Sequence, residues 1–253
     1  MKLGMPVLYE YDSIEENLIL AKSLGLDFVE LNLNYSYCRN EMEAGAVLSL
    51  LKKYNQEATL HFYDEADFGL YDEVTNAYLA LMKKYATLGK GYIKNINMHI
   101  QDGPVTTISG IKHYVYEKEY DAYLNRLIKN LSKAREICNK NNITLVIENT
   151  DKLAPYMLPI YDELLKNNFK LCYDIGHDYL THCILLDKIK KDNIAFNEYH
   201  FHDAGKSCHY ALGDGVLNLK EYKNMCVKDD AFVVVEVKSK EDLEKSIPIF
   251  NTL

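Results

Sequence analysis

Long hydrophobic runs are missing from this sequence. The longest apolar stretches, such as Phe232 to Val235, fall far short of the roughly 18 to 20 residues that a membrane-spanning helix needs. The amino-terminal segment MKLGMPVLYEYD lacks the apolar core of a secretory signal and carries acidic residues early. We therefore expect a cytoplasmic protein with no membrane partner.

Clustered cysteines and clustered basic residues are missing as well. The six cysteines are dispersed and form no CxxC pair, which leaves reduced core thiols as the expectation and excludes a zinc knuckle. The net charge is −8, with 37 acidic against 29 basic residues. Because sequence-independent nucleic-acid binding depends on neutralising phosphates, this balance argues against a nucleic-acid partner.

The composition that remains is that of a globular protein. The chain has 253 residues, of which 48% are hydrophobic and 26% charged, so it can bury a large core. No low-complexity tract or linker rich in proline, glycine or serine divides it. We expect one domain over residues 1–253.

Short apolar runs rich in β-branched residues recur along the chain, and segments with helical periodicity lie between them. Ser13-Ile14-Glu15-Glu16 has the pattern of a capping box that opens the first helix, and Gly25 lies where a left-handed residue would end it. Ser239 begins a similar pattern, and Tyr116 to Asn141 is the clearest amphipathic helix. The predicted strands are Lys2–Leu8, Asp27–Leu33, Glu57–His61, Ile93–His99, Ile143–Glu148, Lys170–Asp174, Phe196–His202 and Ala231–Val237.

Eight alternating strand and helix units in about 250 residues predict an α/β fold of the (β/α)8 TIM-barrel class. A doubly wound open sheet is the competing architecture. The first strand lacks the glycine-rich phosphate turn that would favour that alternative.

Six consecutive predicted strands end in a side chain that can bind a metal ion. In a (β/α)8 barrel the carboxyl ends of the strands project into one shared mouth, so such residues meet there. Each one alone also fits an ordinary strand-end charge that reaches solvent. The six residues are His61, His99, Glu148, Asp174, His200 and Glu236.

Two of these residues, Glu148 and Glu236, end strongly apolar strands. Burying carboxylates there is costly, so the sequence implies either raised pKa values or a cation between them. Glu148, Asp174, His200 and Glu236 offer three carboxylates and one imidazole, a ligand set suited to Mn²⁺, Zn²⁺ or Co²⁺. The sequence therefore predicts a divalent metal cofactor of open identity.

Several segments together carry a family resemblance: IENT around Glu148, YDIGHD with Asp174 and His177, HFHD from His200, HYALGDG from His209, and the final VVVEV. With the strand-end His61 and His99, this pattern resembles the xylose isomerase-like barrels. That family contains sugar and sugar-phosphate isomerases and epimerases and also apurinic-site endonucleases. The resemblance implies that Glu148, Asp174, His200 and Glu236 bind the metal and that His61, His99, His177 and His209 line the substrate pocket.

The resemblance implies an enzyme of carbohydrate metabolism with a small sugar or polyol substrate. We expect an isomerase or epimerase in which Glu148 and Glu236 move a proton next to a carbonyl through an enediolate. One alternative is a zinc-dependent phosphodiesterase like the apurinic-site endonucleases, although Ser207 stands where that branch would need an aspartate. Another is a catalytically silent barrel that binds a ligand. A homo-oligomer is compatible with each.

Other polar residues have two interpretations each. His202 shares a strand face with His200 and has either a structural or a substrate-contacting role, and Asp203 either orients a ligand or caps the following loop. His113 and His182 are expected to be ordinary exposed histidines. Tyr35 and Tyr37 fit lid packing or substrate contact. Gly205, Lys206, Gly213 and Gly215 fit either a tight turn or a phosphate site.

Overall fold

Eight parallel strands close on themselves into a barrel in the computed structural model, which describes residues 1–253. Each barrel strand pairs with the next barrel strand along the chain, and the first pairs with the last to close the ring, with Lys2 opposite Phe232. The predicted (β/α)8 fold is confirmed. The barrel strands are β1 Lys2–Pro6, β2 Phe28–Asn32, β3 Glu57–His61, β4 Ile93–His99, β7 Thr144–Glu148, β8 Lys170–Asp174, β9 Glu198–Phe201 and β10 Phe232–Val235.

Helices cover the outside of the barrel between the strands. Their first turns follow the sequence signals: the Ser13 hydroxyl accepts from the amide of Glu16, and the Ser239 hydroxyl accepts from that of Asp242. Gly25 has φ +71°, as predicted for a residue that ends a helix. The helices are α1 Ile14–Ser23, α2 Ser36–Glu43, α3 Val47–Tyr54, α4 Asp72–Gly89, α5 Val115–Lys118, α6 Tyr120–Lys140, α7 Leu158–Lys166, α8 Ile175–Leu180, α9 Ile184–Asp192, α10 Leu219–Asp229 and α11 Lys240–Thr252.

The region after β4 differs from the prediction. A two-stranded antiparallel hairpin of β5 Val105–Ile108 and β6 Ile111–Tyr114 follows β4, and the sequence analysis did not predict it. The single helix predicted for Tyr116 to Asn141 is two helices, because Glu119 at φ −111° and ψ 32° interrupts the helical backbone between α5 and α6. The second difference arises because the periodicity of the whole segment was assigned to one helix.

The ends of the last two barrel strands are shorter than predicted. Strand β9 ends at Phe201, and β10 ends at Val235, so His202 and Glu236 lie one residue beyond their strands. The amide of Glu236 still donates to the carbonyl of Phe201, which keeps both residues at the rim. No helix combines the length and the apolar character that a bilayer crossing requires.

Candidate metal centre and substrate pocket

A polar cavity of about 420 Å³ opens where the carboxyl ends of the strands meet. Among the residues around it, Tyr35 has the one large apolar side chain. A cavity of this composition suits a small ligand with many hydroxyl groups. It is lined by Asn32, Asn34, Tyr35, His61, Asp64, Glu65, His99, Gln101, Glu148, Thr150, Asp151, Lys152, His177, His209, Glu236 and Lys238.

The four residues predicted to bind metal converge at the floor of this cavity. One side-chain oxygen or nitrogen from each of Glu148, Asp174, His200 and Glu236 lies within 4.8 Å of all the others. Nδ1 of His200 is 3.0 Å from Oε2 of Glu236, 3.2 Å from Oε1 of Glu148 and 3.9 Å from Oδ2 of Asp174. All four residues are buried, and the barrel brings them together from four different strand ends.

Three of these facing atoms have no hydrogen-bond partner. They are Oε1 of Glu148, Nδ1 of His200 and Oε2 of Glu236. Buried polar atoms are normally satisfied, because leaving one unpaired costs desolvation energy. Three unpaired atoms that face one centre therefore fit a divalent cation, and their oxygen and nitrogen chemistry fits Mn²⁺, Zn²⁺ or Co²⁺.

The pKa values of the two glutamates are lowered. Burial by itself raises their pKa values, but His200 and His99 hold the pKa of Glu148 well below its ordinary value. Lys238 and His200 have the same effect on the pKa of Glu236. The raised pKa values that the sequence left open for these residues are therefore wrong, because neighbouring cationic groups outweigh burial.

The four histidines predicted to contact substrate all line the cavity. Nε2 of His61 and Nε2 of His99 lie 3.6 and 3.4 Å from Oε2 of Glu148. Nδ1 of His177 is 3.4 Å from Oδ2 of Asp174. Nε2 of His209 is 3.5 Å from Oε2 of Glu236. These rings surround the four-residue cluster on the cavity side, and their contact with substrate stays a prediction.

Carboxylates raise the basicity of three of these histidines. Burial opposes protonation, yet Glu148 raises the pKa of His61 to about 10, and Asp174 raises that of His177 to about 10. Glu236 raises the pKa of His209 to about 9. In the absence of a cation, protons on these rings compensate the carboxylate charge.

A layer of buried polar residues below the cluster was missed at the sequence level. Glu30 and Glu198 are both buried in the barrel interior, and Asn95 donates to Oε2 of Glu198 at 2.8 Å. Burial and then Glu30 raise the pKa of Glu198 to about 8. Alternation could have revealed part of this layer, because Asn95 and Asn97 share a face with His99, and Glu198 shares one with His200.

Lys238 and Cys208 were also missed. Nζ of Lys238 donates to Oε1 of Glu236 at 2.6 Å, and the lysine lines the cavity. Sγ of Cys208 lies 3.0 Å from Nδ1 of His209. Burial opposes ionisation of Cys208, but hydrogen bonds with His177 and His209 lower its pKa to about 6. Only the tertiary contacts distinguish this cysteine from the other five.

The loop after β9 is organised around Asp203. The Asp203 carboxylate accepts from the amides of Ala204, Gly213 and Leu217, so it caps the loop. A Cβ on Gly215 would lie 2.2 Å from Oδ1 of Asp203, so the close packing of the loop requires glycine there. Lys206 is exposed and lies outside the cavity lining.

The tyrosines and the outlying histidines are placed as follows. The Tyr37 hydroxyl donates to the carbonyl of Leu8 at 2.9 Å, so this residue has a packing role, whereas Tyr35 lines the cavity. His113 and His182 are exposed and lie away from the cavity, as predicted.

Comparison with known proteins gives the same architecture. Residues 18–251 match the family described as Xylose isomerase-like TIM barrel. A D-tagatose 3-epimerase-like protein has a similar structure, with a TM-score of 0.81 and 18% sequence identity over 100% of this chain and 96% of that one. The 3-keto-D-glucoside 4-epimerase YcjR of E. coli gives a TM-score of 0.79 at 14% identity, with 100% of both chains covered.

Two further relatives extend the comparison. The probable 3-DHS dehydratase AsbF of Bacillus anthracis gives a TM-score of 0.72 at 16% identity over 99% of both chains. An uncharacterized protein of Methanocaldococcus jannaschii is 28% identical over 138 residues, which are 53% of this chain and 55% of that protein. The chain thus spans about half the length of the curated relative that it matches. At such identities the solved structures show a shared fold.

Proposed function

The chain belongs to the xylose isomerase-like TIM barrel family, and we propose that it is a metal-dependent isomerase or epimerase of a sugar, a sugar phosphate or a related polyol. The observation that carries the proposal is the convergence of unpaired atoms from Glu148, His200 and Glu236 at the floor of a polar cavity. That arrangement suits an ion that contacts the ligand from below. The names of the similar structures, which include sugar epimerases, support the substrate class.

Glu148, Asp174, His200 and Glu236 would hold the ion. When bound, a divalent ion would polarise a carbonyl and a neighbouring hydroxyl and so acidify the carbon-bound proton between them. The protein's own contribution is to hold the carboxylates of Glu148 and Glu236 at the cavity floor, both beside Nδ1 of His200. An ionised carboxylate is the form that can accept a proton.

The two glutamates are supported differently, which suits two different tasks. His61 and His99 lie beside Oε2 of Glu148, whereas Lys238 donates to Oε1 of Glu236. In the proposed reaction one glutamate removes the proton from the substrate carbon to give an enediolate, and the other returns a proton. Return to the opposite face gives epimerisation, and return to the neighbouring carbon gives aldose–ketose isomerisation. Dehydration of a cyclic polyol would use the same first step.

The test is exchange of solvent deuterium into a panel of ketoses and their phosphates. Proton removal at carbon is common to every version of the proposal, so at least one compound should gain deuterium in the presence of Mn²⁺, Zn²⁺ or Co²⁺. Glu236→Gln and chelator-treated protein serve as controls and should show none. Absence of exchange with the whole panel would instead favour a barrel that binds a ligand without turning it over.

A second candidate function is supported by two further groups of potential ligands beside the first. His61, His99 and Glu148 form one, and Asp174, His177, His202 and His209 form the other, each with ligand atoms within 4.8 Å. This resembles a multi-metal phosphodiesterase. Ser207 weakens that candidate, because it replaces a carboxylate by a poor metal ligand. About three zinc ions per chain, with cleavage of abasic DNA, would favour the phosphodiesterase, and about one ion the isomerase.

A further inference from the structure

His202 lies between Asp174 and the mouth loop, which we define as residues 203–218. Its side chain is fully buried and is absent from the cavity lining. The substrate-contacting role that the sequence left open for His202 is therefore wrong. Its contacts instead connect the candidate metal centre with the loop that carries His209 into the cavity.

The two ring nitrogens of His202 have different partners. Nδ1 lies 2.9 Å from the backbone nitrogen of His209, and Nε2 lies 3.0 and 3.1 Å from the two oxygens of Asp174. The carbonyl of Asp203 is also 3.0 Å from Nδ1, but that carbonyl already accepts the amide of Tyr210. If Nδ1 accepts a hydrogen bond from the His209 amide, then that amide, Nδ1 and the Asp203 carbonyl all have a partner. The proton then resides on Nε2, which donates to Asp174.

The ring of His202 is tightly packed. It stacks on the ring of His209, with centroids 4.4 Å apart and an interplanar angle of 29°. On another side it lies against Gly176, where an added Cβ would come within 2.0 Å of Cε1. The ring thus has one orientation, and that orientation directs Nε2 at Asp174.

The Asp174 carboxylate is held by two donors on its far side. Oδ1 accepts from the backbone amide of His177 at 2.7 Å and faces Nε2 of His202. Oδ2 lies 3.1 Å from the same Nε2 and is also the oxygen that faces His200, whose Nδ1 is 3.9 Å away. Hydrogen bonds of this kind orient a ligand and typically change metal affinity about 10- to 100-fold when removed.

We propose that His202 is a positioning residue with two separable tasks. Its Nε2–H orients Asp174 for a divalent cation, and its Nδ1 seats the mouth loop so that His209 projects into the cavity. The inference rests on the proposed function, because it concerns the same cation site and the same ligand pocket.

Two substitutions separate the tasks. Asparagine retains an acceptor near the position of Nδ1 but has no group that reaches Asp174. Glutamine places an amide donor near the position of Nε2 but has no acceptor for the His209 amide. His113→Asn, on the exposed β5–β6 hairpin, is the matched control for the first substitution.

The primary measurement is the dissociation constant of Zn²⁺ from the full chain, obtained by chelator competition without substrate. His202→Asn should weaken binding roughly 10- to 100-fold, whereas His202→Gln and His113→Asn should bind as the unsubstituted chain does. With a substrate from the deuterium-exchange panel, His202→Gln should raise KM, since its mouth loop is no longer held.

Three results would overturn the inference. One is an unchanged Zn²⁺ dissociation constant in His202→Asn whose circular dichroism shows a native fold. Another is a ¹⁵N NMR spectrum of the unsubstituted protein that places the His202 proton on Nδ1, a measurement that needs no variant. The third is no Zn²⁺ binding by the unsubstituted chain, and this result would overturn the proposed function as well. The first two results would overturn only the role of His202.

Discussion

The carboxylate of Glu30 lies against the His200 ring on the side away from the candidate metal centre, with Oε1 3.4 Å from Nε2. The opposite nitrogen, Nδ1, faces Glu148 and Glu236. A neutral imidazole carries one N–H, and a carboxylate beside Nε2 favours the form with the proton there. Nδ1 then presents its lone pair to a cation.

Glu30→Gln should therefore weaken metal binding, because it removes the charge behind His200 while keeping the side-chain size. The expected loss is about 10- to 100-fold in affinity, measured by chelator competition. Glu198→Gln is the matched control, since the pKa of Glu198 is raised to about 8 and its carboxyl group is largely neutral at pH 7. Equal losses in the two variants would show that Glu30 has no particular role.

Glu236→Gln should abolish turnover and leave the fold intact. The substitution removes a carboxylate proposed both to bind the cation and to move a proton, and loss of an acid–base group costs about 10²- to 10⁴-fold in rate. Deuterium exchange and circular dichroism are the measurements. The exposed Glu241→Gln, in the first turn of α11, should retain activity. Full activity in Glu236→Gln would remove that residue from the mechanism.

The metal-free protein should lose stability as the pH rises. The pKa values of His61, His177 and His209 are raised from 6.5 to about 10, 10 and 9. A group whose pKa is higher in the folded than in the unfolded state stabilises the fold fully at pH values below its unfolded-state pKa. That stabilisation is lost as the pH rises through the folded-state pKa. Melting temperatures in chelator should thus fall from about pH 6.5 to about pH 10.

The same titration with saturating Zn²⁺ is the control for that experiment. A bound cation compensates the negative charge of the carboxylates in place of the protonated histidines. The fall in melting temperature with pH should therefore be smaller. A melting temperature that stays constant or rises over this pH range in chelator would contradict the protonation of the three histidines.

Cys208 should be the cysteine that alkylating reagents modify first. Its pKa of about 6 leaves a thiolate at pH 7.5, whereas burial raises the pKa of Cys38 and Cys138 to about 12. Iodoacetamide labelling followed by mass spectrometry should show one fast site, absent from Cys208→Ser. Cys183→Ser is the control and should keep it. Fast labelling at another cysteine would refute the assignment.

Gly176→Ala should destabilise the protein, because the new methyl group would overlap the ring of His202. We expect a loss of about 1–3 kcal/mol in the free energy of unfolding, measured with denaturant. Gly205→Ala, whose Cβ would come only within 3.1 Å of the Tyr210 ring, should cost less. In a His202→Ala background the effect of Gly176→Ala should shrink, and additive effects would show that the two residues are uncoupled.

Much of the candidate site could be predicted from strand ends alone. Parallel strands of a closed barrel all deliver their carboxyl ends to one rim, so His61, His99, Glu148, Asp174, His200 and Glu236 were expected to meet. The same logic failed for the hairpin after β4, since insertions between barrel units follow no barrel periodicity. It also gave no indication that α5 and α6 are separate helices.

The sequence by itself determined the architecture and the rim residues of this protein, because strand alternation and the βα repeat are local and periodic. Only the tertiary structure decided which groups stand behind those residues. Glu30 and His202 become neighbours of His200 and Asp174 only when the barrel closes. Such contacts join positions that no local pattern links, and they decide which atoms remain free to face a ligand.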